Sequence, residues 1–237
     1  MREVLSLNPW PVQERIANLL IQKPRKVLVK ASHSVGKTWL AAALTSWWYD
    51  TFPEDSAVIT TAPTARDVRD LLWMEVRRQR RRARRLGDFV GAAAPEMRSS
   101  EDHFAKGFTA ATGESFQGRH FANMLFIFDE AVGIDSIFWT TTKSMFKAGA
   151  NHSWLGIFNP TDTASRAYAE EMAQELNGSP SWHVVQMSSL DHPNLEAELD
   201  GREPPYPSAV GLDQFMGWLA DWCEPIPAED ATTTDLE

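Results

Sequence analysis

The sequence predicts an α/β fold: a mostly parallel central sheet flanked by helices on both faces. Three observations carry this. Strand-like and helix-like segments alternate along the chain. Several of the strand segments are apolar on both faces, as buried parallel strands are. One strand-to-helix junction is a loop of small residues, Ala31-Ser-His-Ser-Val-Gly36-Lys37-Thr38. At 237 residues, 43% hydrophobic and 23% charged, the chain is long enough for a sizeable core and ordinary in composition for a globular protein.

The elements follow in order. Pro11 to Gln22 reads as a short helix with Val12, Ile16, Leu19 and Leu20 on one face. Val27 to Val29 is a buried strand, followed after the loop by an Ala- and Leu-rich helix from Trp39 to Tyr49. Ala57 to Thr61 is a second strand, closed by Ala62-Pro63-Thr64. The spacing of Val68, Leu72, Val76 and Ala83 predicts a long helix from about Ala65 to Leu86. Strands are expected at Phe104 to Ala111, Met124 to Phe128, Trp154 to Phe158 and His183 to Met187. Helices are expected at Ile134 to Lys147 and Ala164 to Leu176. After Asp191 the prolines 193, 204, 205 and 207 break the pattern. Val210 to Trp222 reads as one last helix, and the acidic, Thr-rich Pro225 to Glu237 as a flexible end. The expected division is a domain over residues 1–195 and an acidic, Pro-rich lid or linker segment over 196–237.

The net charge of −9 is unevenly placed. Residues 187–237 hold twelve acidic side chains and one basic one, whereas the rest of the chain holds 20 and 22. Overall acidity therefore gives no argument against a nucleic-acid partner. No apolar run is long enough for a membrane span, and the N-terminus lacks the pattern of a secretory signal. The single cysteine, Cys223, excludes an internal disulfide framework and fits a reducing, cytoplasmic compartment.

Two motifs carry chemistry. In the Ala31–Thr38 loop, Ser32, His33, Ser34, Val35 and Gly36 let backbone N–H groups approach phosphates, and the following helix adds a positive field. Lys37 reaches the β and γ phosphates of ATP, and the Thr38 hydroxyl ligates Mg²⁺. The first position is Ala31, where glycine is usual. The second motif is the apolar run Met124 to Phe128, which ends in Asp129-Glu130. Two carboxylates at the end of a buried strand are costly unless they meet a cation or water. Asp129 takes the Mg²⁺-holding place and Glu130 the place that polarises the attacking water.

With these pieces in place the chain resembles the ATPase domain of the large terminase subunit of tailed bacteriophages, a motor that packages double-stranded DNA. The resemblance covers about residues 8–195 and rests on six segments in order: Asn8 to Gln13, Ala31 to Thr38, Thr61 to Thr64, Gly113 to His120 with Phe128 to Ala131, Gly156 to Thr161, and Ser189 to Asn194. It implies a P-loop NTPase of the additional-strand, RecA/helicase-like type that hydrolyses Mg-ATP. It further implies a homo-oligomeric ring in the host cytoplasm, with a portal protein and a small terminase subunit as partners. Trp10 and Gln13 would lie at the adenine, Trp10 being otherwise a core anchor. Asn159 would sense the γ-phosphate, being otherwise an Asn-Pro turn. The loop carries no arginine, so Arg119 is the expected charge-stabilising residue, acting on a neighbour's ATP, with a surface ion pair as the other reading. Only 77 residues follow Pro160, so the family's C-terminal nuclease is expected to be absent.

The block from Arg77 to Arg85 is the densest charge in the chain. On a helix, Arg66, Arg69, Arg77, Arg80 and Arg84 share one side with Trp73. Arg77, Arg80, Arg81 and Arg84 are candidates for contact with DNA phosphates, which would be independent of sequence and sensitive to salt. Pairing with the acidic C-terminal segment or a neighbouring subunit is a rival, as is a solvated face. The histidines show no paired metal-ligand spacing. Two further function classes remain open: a helicase-like nucleic-acid ATPase, and a nucleotide-gated DNA-binding or scaffold protein with little hydrolysis.

Overall fold

The structure, a computed structural model, describes residues 7–85, 87–108 and 120–223. The chain divides into two compact units: residues 1–32 with 36–188, and residues 33–35 with 189–237.

The first unit is built on a seven-stranded sheet. Helix α1 (Pro11–Leu19) precedes β1 (Lys26–Ala31), and α2 (Lys37–Thr51) leads to β2 (Ser56–Thr61). A π-helical turn over Asp67–Leu72 runs into α3 (Trp73–Arg82). Then come β3 (Glu96–Arg98), β4 (His103–Phe108), β5 (Asn123–Asp129), α4 (Ser136–Met145), β6 (Asn151–Phe158), α5 (Arg166–Glu171) and β7 (His183–Met187). The strand order is β3-β4-β2-β5-β6-β1-β7. Every pairing is parallel except β3 with β4. Strand β6 lies between β1 and β5, which is the additional-strand arrangement expected from the sequence.

β2 is buried at all six positions, and β5 and β6 at every position after the first. Both faces of the sheet are therefore covered, which is why these segments read as continuous apolar runs. Phe128, Trp139, Trp154 and Trp182 interlock near the centre, with ring centroids 4.9–6.2 Å apart in largely edge-to-face pairs. Parallel strands of this kind align their carboxyl ends along one edge. Ala31, Thr61, Asp129, Phe158 and Met187 end their strands there.

Several expected elements differ. The long helix stops at Arg82, and two residues later Arg84 takes a left-handed backbone, φ 55°, that no α-helix can contain. The side that Arg80 shares with Trp73 faces inward: Arg80 is 3% and Trp73 1% exposed, whereas Arg66 and Arg69 are exposed and Arg84 lies past the helix end. Helix α5 covers only Arg166–Glu171 of the expected 164–176, and α4 is shorter by two residues at each end. No sequence pattern predicts the three-residue β3. Residues 109–111 of the strand expected at Phe104 to Ala111, and 225–237, fall outside the described residues.

The second unit holds α6 (Pro193–Leu199) and α7 (Leu212–Trp222). Pro193 starts a helix here instead of breaking one, since a proline in the first turn loses no hydrogen bond. Asn194, 1% exposed, donates to the carbonyls of Tyr206 (2.8 Å) and Val210 (2.9 Å) and accepts from the Tyr206 N–H (2.9 Å). Among the described residues no helix is long and apolar enough to cross a membrane.

Candidate nucleotide site

The loop expected to cradle phosphates begins where β1 ends. Gly36 sits at φ 87°, a conformation that favours glycine, and a Cβ there would press to 2.9 Å from the Gln13 amide nitrogen Nε2. Ser34 also has a positive φ, 58°. From Lys37 the chain runs into the 15-residue α2, whose N-terminus carries unsatisfied N–H groups and a partial positive charge. Within the second unit, the Val210 N–H donates to the Ser34 carbonyl (2.9 Å) and the Trp218 ring stands 6.4 Å from His33.

Sheet topology brings the two sequence motifs together. The Thr38 hydroxyl donates to Asp129 Oδ2 at 3.1 Å across 91 residues of sequence. The Lys37 ammonium donates to the Ser32 carbonyl (3.2 Å) and to Asn159 Oδ1, and lies 3.7 Å from Glu130 Oε1. Lys37, Thr38, Asp129, Glu130 and Asn159 therefore form one cluster at the ends of β1, β5 and β6. Glu130 occupies a left-handed backbone conformation, φ 51°, uncommon for a non-glycine residue and a form of local strain that concentrates at functional sites.

The charges are poised. Burial pushes the Lys37 ammonium below its usual pKa, against the pull of Glu130 and Asp129. Burial, reinforced by the Glu130 charge, pushes the Asp129 carboxyl up to about 6, against the Thr38 hydroxyl and Lys37. Asp129 is 4% exposed, and its Oδ1 takes no hydrogen bond from the described residues. A buried carboxylate oxygen with no donor beside a threonine hydroxyl is a hard-oxygen donor set that fits Mg²⁺.

Other expected site residues are placed differently. Gln13, 3% exposed, is used internally: its Oε1 accepts from the Trp10 N–H (3.2 Å) and its Nε2 donates to the Gly36 carbonyl (3.3 Å). It fastens the start of α1 to the glycine that precedes Lys37, a role that no motif announces. Trp10 is 3% exposed, buried as a core side chain is. Arg119 lies outside the described residues. In the arginine block, Arg77 stacks 4.1 Å over Phe89 and donates to the carbonyls of Gly91 and Ala94 (3.2 and 2.6 Å). Arg80 is paired with Asp50 at 3.0 Å. Arg81 and Arg84 are exposed.

No protein-family model and no curated protein matches the sequence. Solved structures do. The ATPase domain of the Thermus phage P74-26 large terminase aligns with a TM-score of 0.60 at 14% identity, covering 97% of this chain and 93% of that one. The bacteriophage HK97 large terminase gives 0.58 at 12% identity over 97% of this chain and 46% of that one. A large terminase from a thermophilic bacteriophage, in complex with ADP, gives 0.57 at 13% identity over 90% of this chain and 50% of that one. The chain thus has the fold of large-terminase ATPase domains and spans about half the length of the latter two terminases.

Proposed function

We propose that this chain is the ATP-hydrolysing motor domain of a phage large terminase, coupling Mg-ATP turnover to the movement of double-stranded DNA into a procapsid. The observation that carries the reading is the meeting of Lys37, Thr38, Asp129, Glu130 and Asn159 at one sheet edge. The fold shared with large terminases, one of them in complex with ADP, supports it.

Each residue has a task. The loop N–H groups and Lys37 hold the phosphates. Thr38 and Asp129 hold Mg²⁺, which when bound neutralises charge on the phosphate oxygens. Glu130, whose side chain is half exposed, orients a water toward the γ-phosphate. Asn159 is bonded to Lys37 and stands just past the end of β6, where loss of the γ-phosphate changes its partners. Arg119 is the residue proposed to act on a neighbouring subunit's ATP in a ring, with a portal protein and a small subunit as assembly partners. Arg81 and Arg84 are the members of the arginine quartet proposed to meet DNA phosphates. Residues 196–237 are proposed as a lid or linker.

A phosphate-release assay with and without duplex DNA tests the reading. Lys37→Ala is expected to lose nucleotide binding and turnover. Glu130→Ala is expected to keep binding while turnover falls by about a hundredfold or more. Unchanged turnover in Glu130→Ala removes its assigned role. Robust hydrolysis that DNA leaves unaltered removes the motor.

A further inference from the structure

A cavity of about 990 Å³ opens at the amino ends of β1 and β7, at the opposite end of the sheet from Lys37. Its lining includes Lys23, Lys26 and Lys143 against one carboxylate, Glu175. Lys26 lies 3.2 Å from Glu175 and 5.6–5.7 Å from the ring centroids of Phe146 and Trp182. Lys143 meets Glu170 at 2.6 Å, a buried carboxylate that Arg166 also neutralises at 2.8 Å. Lys23 has no ion pair among the described residues. The cavity therefore carries a surplus of positive charge.

The cavity also runs along the start of β7, through His183 and Val184. Among the described residues β7 is the last strand of the sheet and pairs with β1 alone. An edge strand presents unpaired N–H and C=O groups that another extended chain can match. Val184 leaves an apolar side chain 38% exposed on it.

We propose that β7 and this cavity form a docking site for an extended, acidic peptide segment of a partner protein, which adds to the sheet as an eighth strand. Backbone pairing with β7 supplies register, and carboxylates of the segment reach the three lysines. The alternative occupant, single-stranded nucleic acid, needs open aromatic faces for its bases. Trp182 is 3% and Trp154 1% exposed, and the half-buried Phe146 ring already has the Lys26 ammonium 5.6 Å from its centroid, so the cavity offers no run of open faces.

The test uses the full chain and a fluorescein-labelled peptide of alternating glutamate and valine, six residues long, read by fluorescence anisotropy. Saturable binding is expected, weakened at least tenfold by Lys23→Glu combined with Lys143→Gln. N-methylation of alternate peptide amides is expected to abolish it. Lys23→Glu alone touches no ion pair, keeps the thermal melt unchanged and is expected to weaken binding in the same direction. The proposal is overturned by absence of saturable binding, by indifference to both lysine variants, or by equal binding of the N-methylated peptide. It is also overturned if a labelled deoxythymidine oligonucleotide binds more tightly than the peptide and loses affinity with the same substitutions.

Discussion

The buried carboxyl of Asp129, with one oxygen unbonded and its pKa pushed up to about 6, works against the stability of the fold at neutral pH. The folded state holds the proton more tightly than the unfolded chain does. This group's contribution is therefore most favourable below about pH 4, falls as pH rises toward 6, and levels off above that, with a total loss of about 3 kcal/mol. Asp129→Asn keeps the shape and removes the ionisation. It is expected to flatten this slope and raise the melting temperature at pH 8 by roughly 5 °C or more, while weakening Mg-dependent nucleotide binding. Melts at pH 4.5 and 8 check the first part, and a variant that retains the wild-type slope refutes it. The cation role proposed for Asp129 needs the carboxylate, so nucleotide affinity in the presence of Mg²⁺ is expected to drop below about pH 6. Gly36 and Gln13 show the complementary case, in which a loop residue is set by its positive φ and by a side chain 23 positions away.

Helix α3 shows what charge density means in context. Arg80 crosses to Asp50 on α2, stacks 5.4 Å from the Tyr49 ring and donates to the Arg85 carbonyl at 3.0 Å. Arg85 also approaches Asp50, at 3.5 Å, but is half exposed, so removing Arg80 takes away the closer, buried partner of this carboxylate. Arg80→Ala is expected to cost about 3 kcal/mol, read as a lower urea midpoint, whereas Arg81→Ala should stay within about 0.5 kcal/mol. In the sequence both look alike, because the inner face of this helix carries Trp73, Gln79 and Arg80 among its buried residues. The strands were legible for the opposite reason. β2, β5 and β6 are buried on both sides, and runs such as Met124 to Phe128 have few other places to go. The cluster around Lys37 was legible because motif order fixed which strand ends had to meet. The three-residue β3 carried no periodicity, and α6 was hidden behind a proline that marks its first turn. Among the lysines of the β7 cavity, Lys23 and Lys26 are neighbours in sequence, whereas Lys143 comes from a distant helix that only the tertiary fold brings to them.

For the whole molecule, a ligand that binds only the folded state adds its binding free energy to stability. Mg-ATPγS at about a hundred times its dissociation constant should contribute about 2.7 kcal/mol and raise the melting temperature by roughly 5 °C or more. Lys37→Ala should remove that rise, and EDTA should reduce it. An equal rise in Lys37→Ala would place nucleotide elsewhere. The sheet order also sets how the parts of the site are held apart. Adjacent strands stand about 4.8 Å from one another, and β6 separates the strand before Lys37 from the strand ending in Asp129. Gly156, within β6 and in register with Leu28, leaves no room for a methyl group: a Cβ would stand 2.8 Å from Leu28 Cδ2. That single missing carbon is a shim. Filling it would make Leu28 or β6 give way three residues before Asn159 without altering a polar atom, so Gly156→Ala is expected to lower stability while leaving every charge of the Lys37 cluster in place.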